Sequence, residues 1–300
     1  MRTFASAFAV AALAVAPAAH GQDAPYRLSS PWAVDFGDDY CRLAGDFSNG
    51  IQTITVGMER IQPGAAIRLM LAGDAFRPFR SANQLGYRVE PAGASQKAAY
   101  FRTPSADGKE YLFIDNLTLA PMGFTPPAPG QPPAPPPPYS RQGEQDTARG
   151  VTGLRIEEGL VKPVHIETRA LPAAIGVLQE CADDLLKTWG LDAEKHKMMT
   201  VPVIPNFSPD GWLPAGMIPF SEFAKFTGNA NQIRLLIDTA GKPTSCVIHT
   251  PTLAPALNER ICSTLMEKAT FQPAKDAAGE AMASYWLGSP MFLGPPLRGR

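Results

Sequence analysis

The chain has 300 residues, 45% of them hydrophobic and 18% charged, and a formal net charge of −1. That length accommodates one large or two modest domains with real cores. Without a basic excess there is nothing to neutralise phosphates, so nucleic-acid binding is excluded as a function class. The 31 prolines belong to loops and to one low-complexity tract.

Residues 1–21 have the pattern of an export signal. Arg2 is the short positive region, Thr3 to Ala18 is apolar and Ala-rich, and Ala19-His20-Gly21 offers small residues before Gln22. An uncleaved inner-membrane anchor facing the periplasm is the alternative. Pro17 interrupts the apolar run, which is short for about 30 Å of hydrocarbon. No cysteine follows closely, which argues against a lipid anchor. The expectation is a periplasmic protein with no stable membrane insertion once the signal is cleaved.

Residues 22–196 read as a β-rich α+β domain with one packed amphipathic helix. Ile51 to Val56, Ala66 to Leu71, Ala98 to Arg102, Tyr111 to Leu119, Thr152 to Glu157 and Leu160 to Thr168 have strand character, separated by Gly, Pro, Asp and Asn. Leu171 to Trp189 is the helix. Leu171, Ile175, Leu178, Cys181, Leu185 and Trp189 share a face, with Pro172 in the first turn and Gly190 at the end. Asp38-Asp39 reads as a charge pair on a turn. The loop 125–139 holds nine prolines between Pro126 and Pro138, a polyproline II tract that spans roughly 40 Å when extended. It reads as a long exposed loop between strands. Residues 197–211 read as the inter-domain linker.

Residues 212–295 carry the most information, and 296–300 read as a tail. Ile233, Leu235 and Ile237 alternate with Arg234, Leu236 and Asp238, a strand with one buried face. Thr239-Ala240-Gly241-Lys242-Pro243 is turn chemistry, and Thr244 to His249 is a second strand. Leu257, Ile261, Leu265 and Ala269 mark a helix, Phe271-Gln272-Pro273-Ala274 stops it, and Met282 to Leu293 reads as a third strand. The expectation is a small β-β-α-β unit.

Four cysteines in an exported chain point to disulfides. Cys41, Cys181, Cys246 and Cys262 allow three pairings. Cys246–Cys262 is favoured, because the turn from strand into helix brings the two together; closing that loop stabilises by about 3 kcal/mol in the chain-entropy model. Cys41–Cys181 then ties the start of the first domain to its helix. No cysteine pair has zinc-knuckle spacing, and no metal or cofactor is expected.

Ile233-Arg-Leu-Leu-Ile-Asp238, Gly241-Lys242-Pro243, Cys246, Leu257-Asn258, Phe271-Gln-Pro-Ala274 and Gly279 together resemble the C-terminal domain of TonB-type energy transducers, over about residues 212–293. The resemblance implies a non-catalytic domain that binds a protein partner of the cell envelope, such as an outer-membrane receptor. An exposed sheet edge takes up an extended segment by strand addition. The matching edge is Ala283, Ser284, Tyr285, Trp286 and Leu287. Two features depart from the family: Gly288-Ser289-Pro290 breaks that strand, and a cleaved signal leaves no anchor through which to transmit force. A membrane-anchored energy transducer is the second hypothesis.

The third is an aspartyl hydrolase. Leu236-Ile237-Asp238-Thr239-Ala240-Gly241 looks like the catalytic loop of aspartic proteases, but Ala240 stands where that family has Gly, and the mechanism requires two aspartates sharing a proton. A hairpin turn is the simpler explanation. His165, His196 and His249 are scattered without metal spacing, and Asp35-Phe36-Gly37 lacks the rest of a kinase signature.

Overall fold

The computed structural model describes residues 24–91, 93–104, 108–119, 139–169, 171–207, 209–214, 216–223 and 231–288. The expected export signal, the proline tract before Tyr139, the Ser289-Pro290 break and the expected tail lie outside them. The α+β expectation does not hold. The fold is mostly β, built on a closed barrel of nine strands.

Ten strands precede the second half of the chain: β1 (Tyr26–Leu28), β2 (Ala33–Phe36), β3 (Cys41–Ser48), β4 (Thr53–Arg60), β5 (Ile67–Ala72), β6 (Gln84–Glu90), β7 (Gln96–Pro104), β8 (Glu110–Leu117), β9 (Gly153–Glu158) and β10 (Val164–Glu167). Their order is β1-β10-β9-β6-β7-β8-β5-β4-β3, and β1 closes the ring on β3 through Arg27 opposite Ser48 and Leu28 opposite Phe47. The β1–β10 pairing is parallel and the others antiparallel. β2 lies outside the ring and pairs with the other end of β3, from Ala33 opposite Ala44 to Phe36 opposite Cys41. Closure is a long-range event. Local alternation marks strands, but no local pattern says that β1 meets β10.

Period-two alternation fills the interior. On β4, Ile54, Val56, Met58 and Arg60 share one face and Thr55, Gly57 and Glu59 the other. Phe47, Ile54, Leu71, Leu85, Ile114 and Ile156, each at most 2% exposed, are packed in one cluster. Each such side chain contributes roughly 1.5–3 kcal/mol by leaving water. The barrel is therefore a solid core and not a channel.

Two helices, α1 (Arg141–Gly150) and α2 (Leu171–Thr188), close one end. Ala174, Ile175, Leu178 and Leu185 of α2 pack on Cys41, Leu43, Met58 and Ile67, the inner residues at that end of β3, β4 and β5. Cys41 and Cys181 form a disulfide across this contact, with Cα atoms 5.8 Å apart. α1 starts at Ser140, whose Oγ accepts from the Gly143 N–H, satisfying one of the donors a helix leaves open at its start. It is polar, and it is held by one buried ion pair. Arg60, whose side chain is 0% exposed, donates to Glu144, which also accepts from the Tyr139 hydroxyl and from Gln179 Nε2.

The second half contains α3 (Ala193–Lys197), β11 (Met199–Val201), β12 (Ile204–Pro205), α4 (Phe220–Phe223), β13 (Gln232–Ile237), β14 (Pro243–His249), α5 (Pro255–Lys268), β15 (Phe271–Gln272), β16 (Ala274–Asp276), β17 (Ala281–Met282) and β18 (Ser284–Gly288). This is not a self-contained β-β-α-β domain. Eight short strands form three small sheets, ordered β14-β13-β18, β11-β16-β17 and β12-β15. The stretch 197–211 holds β11 and β12, which pair with β16 and β15. The single strand expected from Met282 divides at Ala283, so that Ala281–Met282 joins β16 while Ser284–Gly288 joins β13. Ile233, Leu235 and Ile237 pack against Leu257, Ile261 and Leu265 of α5 and against Trp212 and Phe271. Cys246 and Cys262 form the second disulfide, tying β14 to α5 with Cα atoms 5.6 Å apart.

Candidate functional site

The turn after β13 settles what Asp238 does. Its Oδ1 accepts from the Ala240 and Lys242 N–H groups at 2.9 and 2.8 Å, while its own N–H donates to the Lys242 carbonyl. Gly241 has φ +79°, and a Cβ there would meet the Phe271 carbonyl oxygen at 2.0 Å. Only glycine fits. The carboxylate organises a hairpin.

β18, the candidate partner-binding strand, is one edge of the sheet β14-β13-β18 and pairs with β13 alone among the described residues. Its side chains are largely spoken for. Ser284 is 1% exposed. Tyr285 points toward the barrel, edge-on to Trp189 with ring centres 5.4 Å apart, and its hydroxyl donates to the Pro63 carbonyl at 3.5 Å. Loss of water around the phenol pushes its pKa up. Trp286 points the other way, edge-on to Trp212 at 5.3 Å and tilted against Phe271 at 5.9 Å. Leu287 is half-buried beside Arg68 and Gln232, and Ala283, just before the strand, is exposed. Both faces of β18 are therefore packed, and what it offers a partner is its backbone edge.

Ser284 also belongs to a Ser–His pair that the sequence does not flag, because 88 residues separate its members. His196 Nδ1–H donates to the Asp192 carbonyl at 2.9 Å, which fixes the tautomer, and Nε2 accepts from Ser284 Oγ–H at 2.9 Å. Burial lowers the imidazole pKa, so the ring is a neutral acceptor. A nucleophile and base in contact are the start of a hydrolytic site. Here the hydroxyl lies buried under the Met199 sulfur at 3.8 Å, so substrate has no approach. The pair fastens β18 to α3.

Beneath the same sheet, β13 and β14 meet the outer wall of the barrel. Arg234, with a side chain 4% exposed, donates to Asp39 at 2.6 Å, and its guanidinium lies 4.0 Å from the centre of the Trp189 ring. Trp189 Nε1–H in turn donates to the Asp38 carbonyl at 3.0 Å. Asp38-Asp39 is thus a long-range anchor more than a solvated turn. Arg68 on β5 bonds Glu59 and Asp115 within the barrel and reaches across to Thr250 Oγ1 at 3.1 Å.

His249 closes this seam and is 6% exposed. Burial, with the Arg234 and Arg68 charges adding to it and Asp39 opposing, pushes its pKa from 6.5 down to about 4. The unfolded chain binds this proton near pH 6.5 and the folded protein only near pH 4. The contribution is complete above pH 6.5 and is lost as the pH falls toward 4, on the order of 3 kcal/mol in all. Urea unfolding between pH 7 and 4 should show that decline, and His249→Gln should flatten it. An unchanged slope in the variant would clear His249 of the effect.

Fold and site together define a disulfide-bonded, mostly β barrel protein with a helical cap at one end and a docked C-terminal segment. No family model, curated protein or solved structure matches the chain. Its two disulfides, which leave no free cysteine, place it in an oxidising compartment outside the cytoplasm. Among the described residues no helix is long and apolar enough to cross a membrane, and no cluster of three His, Cys, Asp or Glu side chains could hold a metal ion.

Proposed function

We propose that the protein is an exported periplasmic binding protein that takes an extended segment of an envelope protein, such as an outer-membrane transport component, alongside β18. The observation that carries this is the one-sided pairing of β18, whose outer backbone edge has no partner among the described residues. Strand addition needs little else: main-chain hydrogen bonds hold the incoming segment, and side chains at the rim select it. The packed faces support a binding role, because an edge already rigidified by Tyr285 and Trp286 loses little entropy on accepting a strand. The resemblance of the motifs in 212–293 to TonB-type transducers supplies the class of partner.

The test is a photo-crosslinking amino acid introduced at Ala283 and at Leu287 in protein exported to a bacterial periplasm, with exposed Lys275 on β16 as control. Irradiation should give a discrete adduct with an envelope protein from 283 or 287 and none from 275. Adducts from neither edge position, or equal adducts from all three, would refute strand addition at β18.

A further inference from the structure

The barrel end opposite the helical cap carries a groove of about 590 Å3. It runs over the rim at the start of β4 and β8 and the ends of β5 and β7, beside the 3-10 turn Asp74–Phe76. Volumes of a few hundred to a thousand Å3 at barrel mouths are the usual size and place for small-ligand sites. Among the described residues its lining holds three acids, Asp46, Asp74 and Glu110, and three bases, Arg77, Arg102 and Lys109. Arg102 and Glu110 pair with each other, and Asp46 accepts from the Thr55 hydroxyl at 2.8 Å. Asp74 and Arg77 are exposed, and their side chains have no hydrogen-bond or ion-pair partner among the described residues, although the Arg77 carbonyl accepts from the Val161 N–H at 2.9 Å. Opposite charges three positions apart on one turn are thus both uncommitted.

We propose that this groove binds a short peptide with free ends, its ammonium on Asp74 and its carboxylate on Arg77. The balance of charge favours a ligand bearing both signs over a polyanion. A sugar is less well served. Among the described residues Phe76 is the only aromatic one in the lining, and at 5% exposure it is turned into the core, so they offer no flat ring on which a pyranose could stack. This site is distinct from β18, so either can fail without the other.

The test is calorimetric titration of the full-length mature protein with Ala-Ala, N-acetyl-Ala-Ala, Ala-Ala-amide and maltose. Ala-Ala should bind saturably, and blocking either end should weaken it about tenfold or more, the loss expected for one charge-assisted contact. Asp74→Asn should weaken Ala-Ala but leave the acetylated peptide unchanged, and Arg77→Gln should do the same with respect to the amide. Both residues are exposed, so the variants should melt as the parent does. No binding of Ala-Ala at millimolar concentration, equal binding of the blocked peptides, or binding of maltose alone would each overturn the proposal, whatever the variants do.

Discussion

Replacing Cys41 and Cys181 together with alanine is expected to lower stability by about 4–5 kcal/mol. The link closes a loop of 140 residues, and loop-closure entropy withheld from the unfolded chain grows with that length. The alternative pair gives a built-in comparison. Cys246 and Cys262 are 16 residues apart, for which the same model gives about 3 kcal/mol. Urea unfolding of the parent and the two double variants should rank them in that order. Equal losses would show that local packing, and not chain entropy, sets the value of both links.

Removing one partner of the Arg60–Glu144 pair should be nearly as damaging. Arg60→Leu leaves a carboxylate 5% exposed, and an uncompensated buried charge typically costs about 3–5 kcal/mol. Adding Glu144→Leu should restore part of the loss, because the buried charge is then gone, while the Tyr139 hydroxyl and Gln179 Nε2 lose it as an acceptor. Arg60 Nε and Nη1 have no hydrogen-bond partner among the described residues, so the pair is already under-satisfied, which favours its hydrophobic replacement. A double-mutant cycle on unfolding free energies gives the coupling directly. If the double variant is less stable than Arg60→Leu alone, the pair is not what holds α1 on the barrel.

Much of the secondary structure was legible where one face is buried. The expected strands at Ile51, Ala66, Ala98, Tyr111 and Thr152 overlap β4, β5, β7, β8 and β9, and the expected helix overlaps α2. β3 was legible in principle, since Cys41, Leu43, Gly45 and Phe47 alternate into the core, but the acidic turn before it and Gly45-Asp46 within it mask the period. α1 was not. Arg141–Gly150 has no apolar stripe and buries only Glu144, Thr147 and Ala148, so its place depends on Arg60, 84 residues away. Closure of the barrel and the division of the last strand at Ala283 depend likewise on partners remote in sequence. The candidate edge was found as a segment. Its surroundings were not, because the Ser284–His196, Tyr285–Trp189 and Arg234–Asp39 contacts all link positions far apart along the chain.

The two covalent clamps share one property: each begins and ends on the same side of the seam. Cys41–Cys181 binds barrel to cap, and Cys246–Cys262 lies wholly within the C-terminal sheet and its helix. Among the described residues the junction itself therefore rests on non-covalent contacts: Leu236 and Tyr285 packed on the cap cluster, a guanidinium over an indole, a handful of polar contacts and one buried imidazole. A load on β18 would pass through those non-covalent contacts before it reached either disulfide.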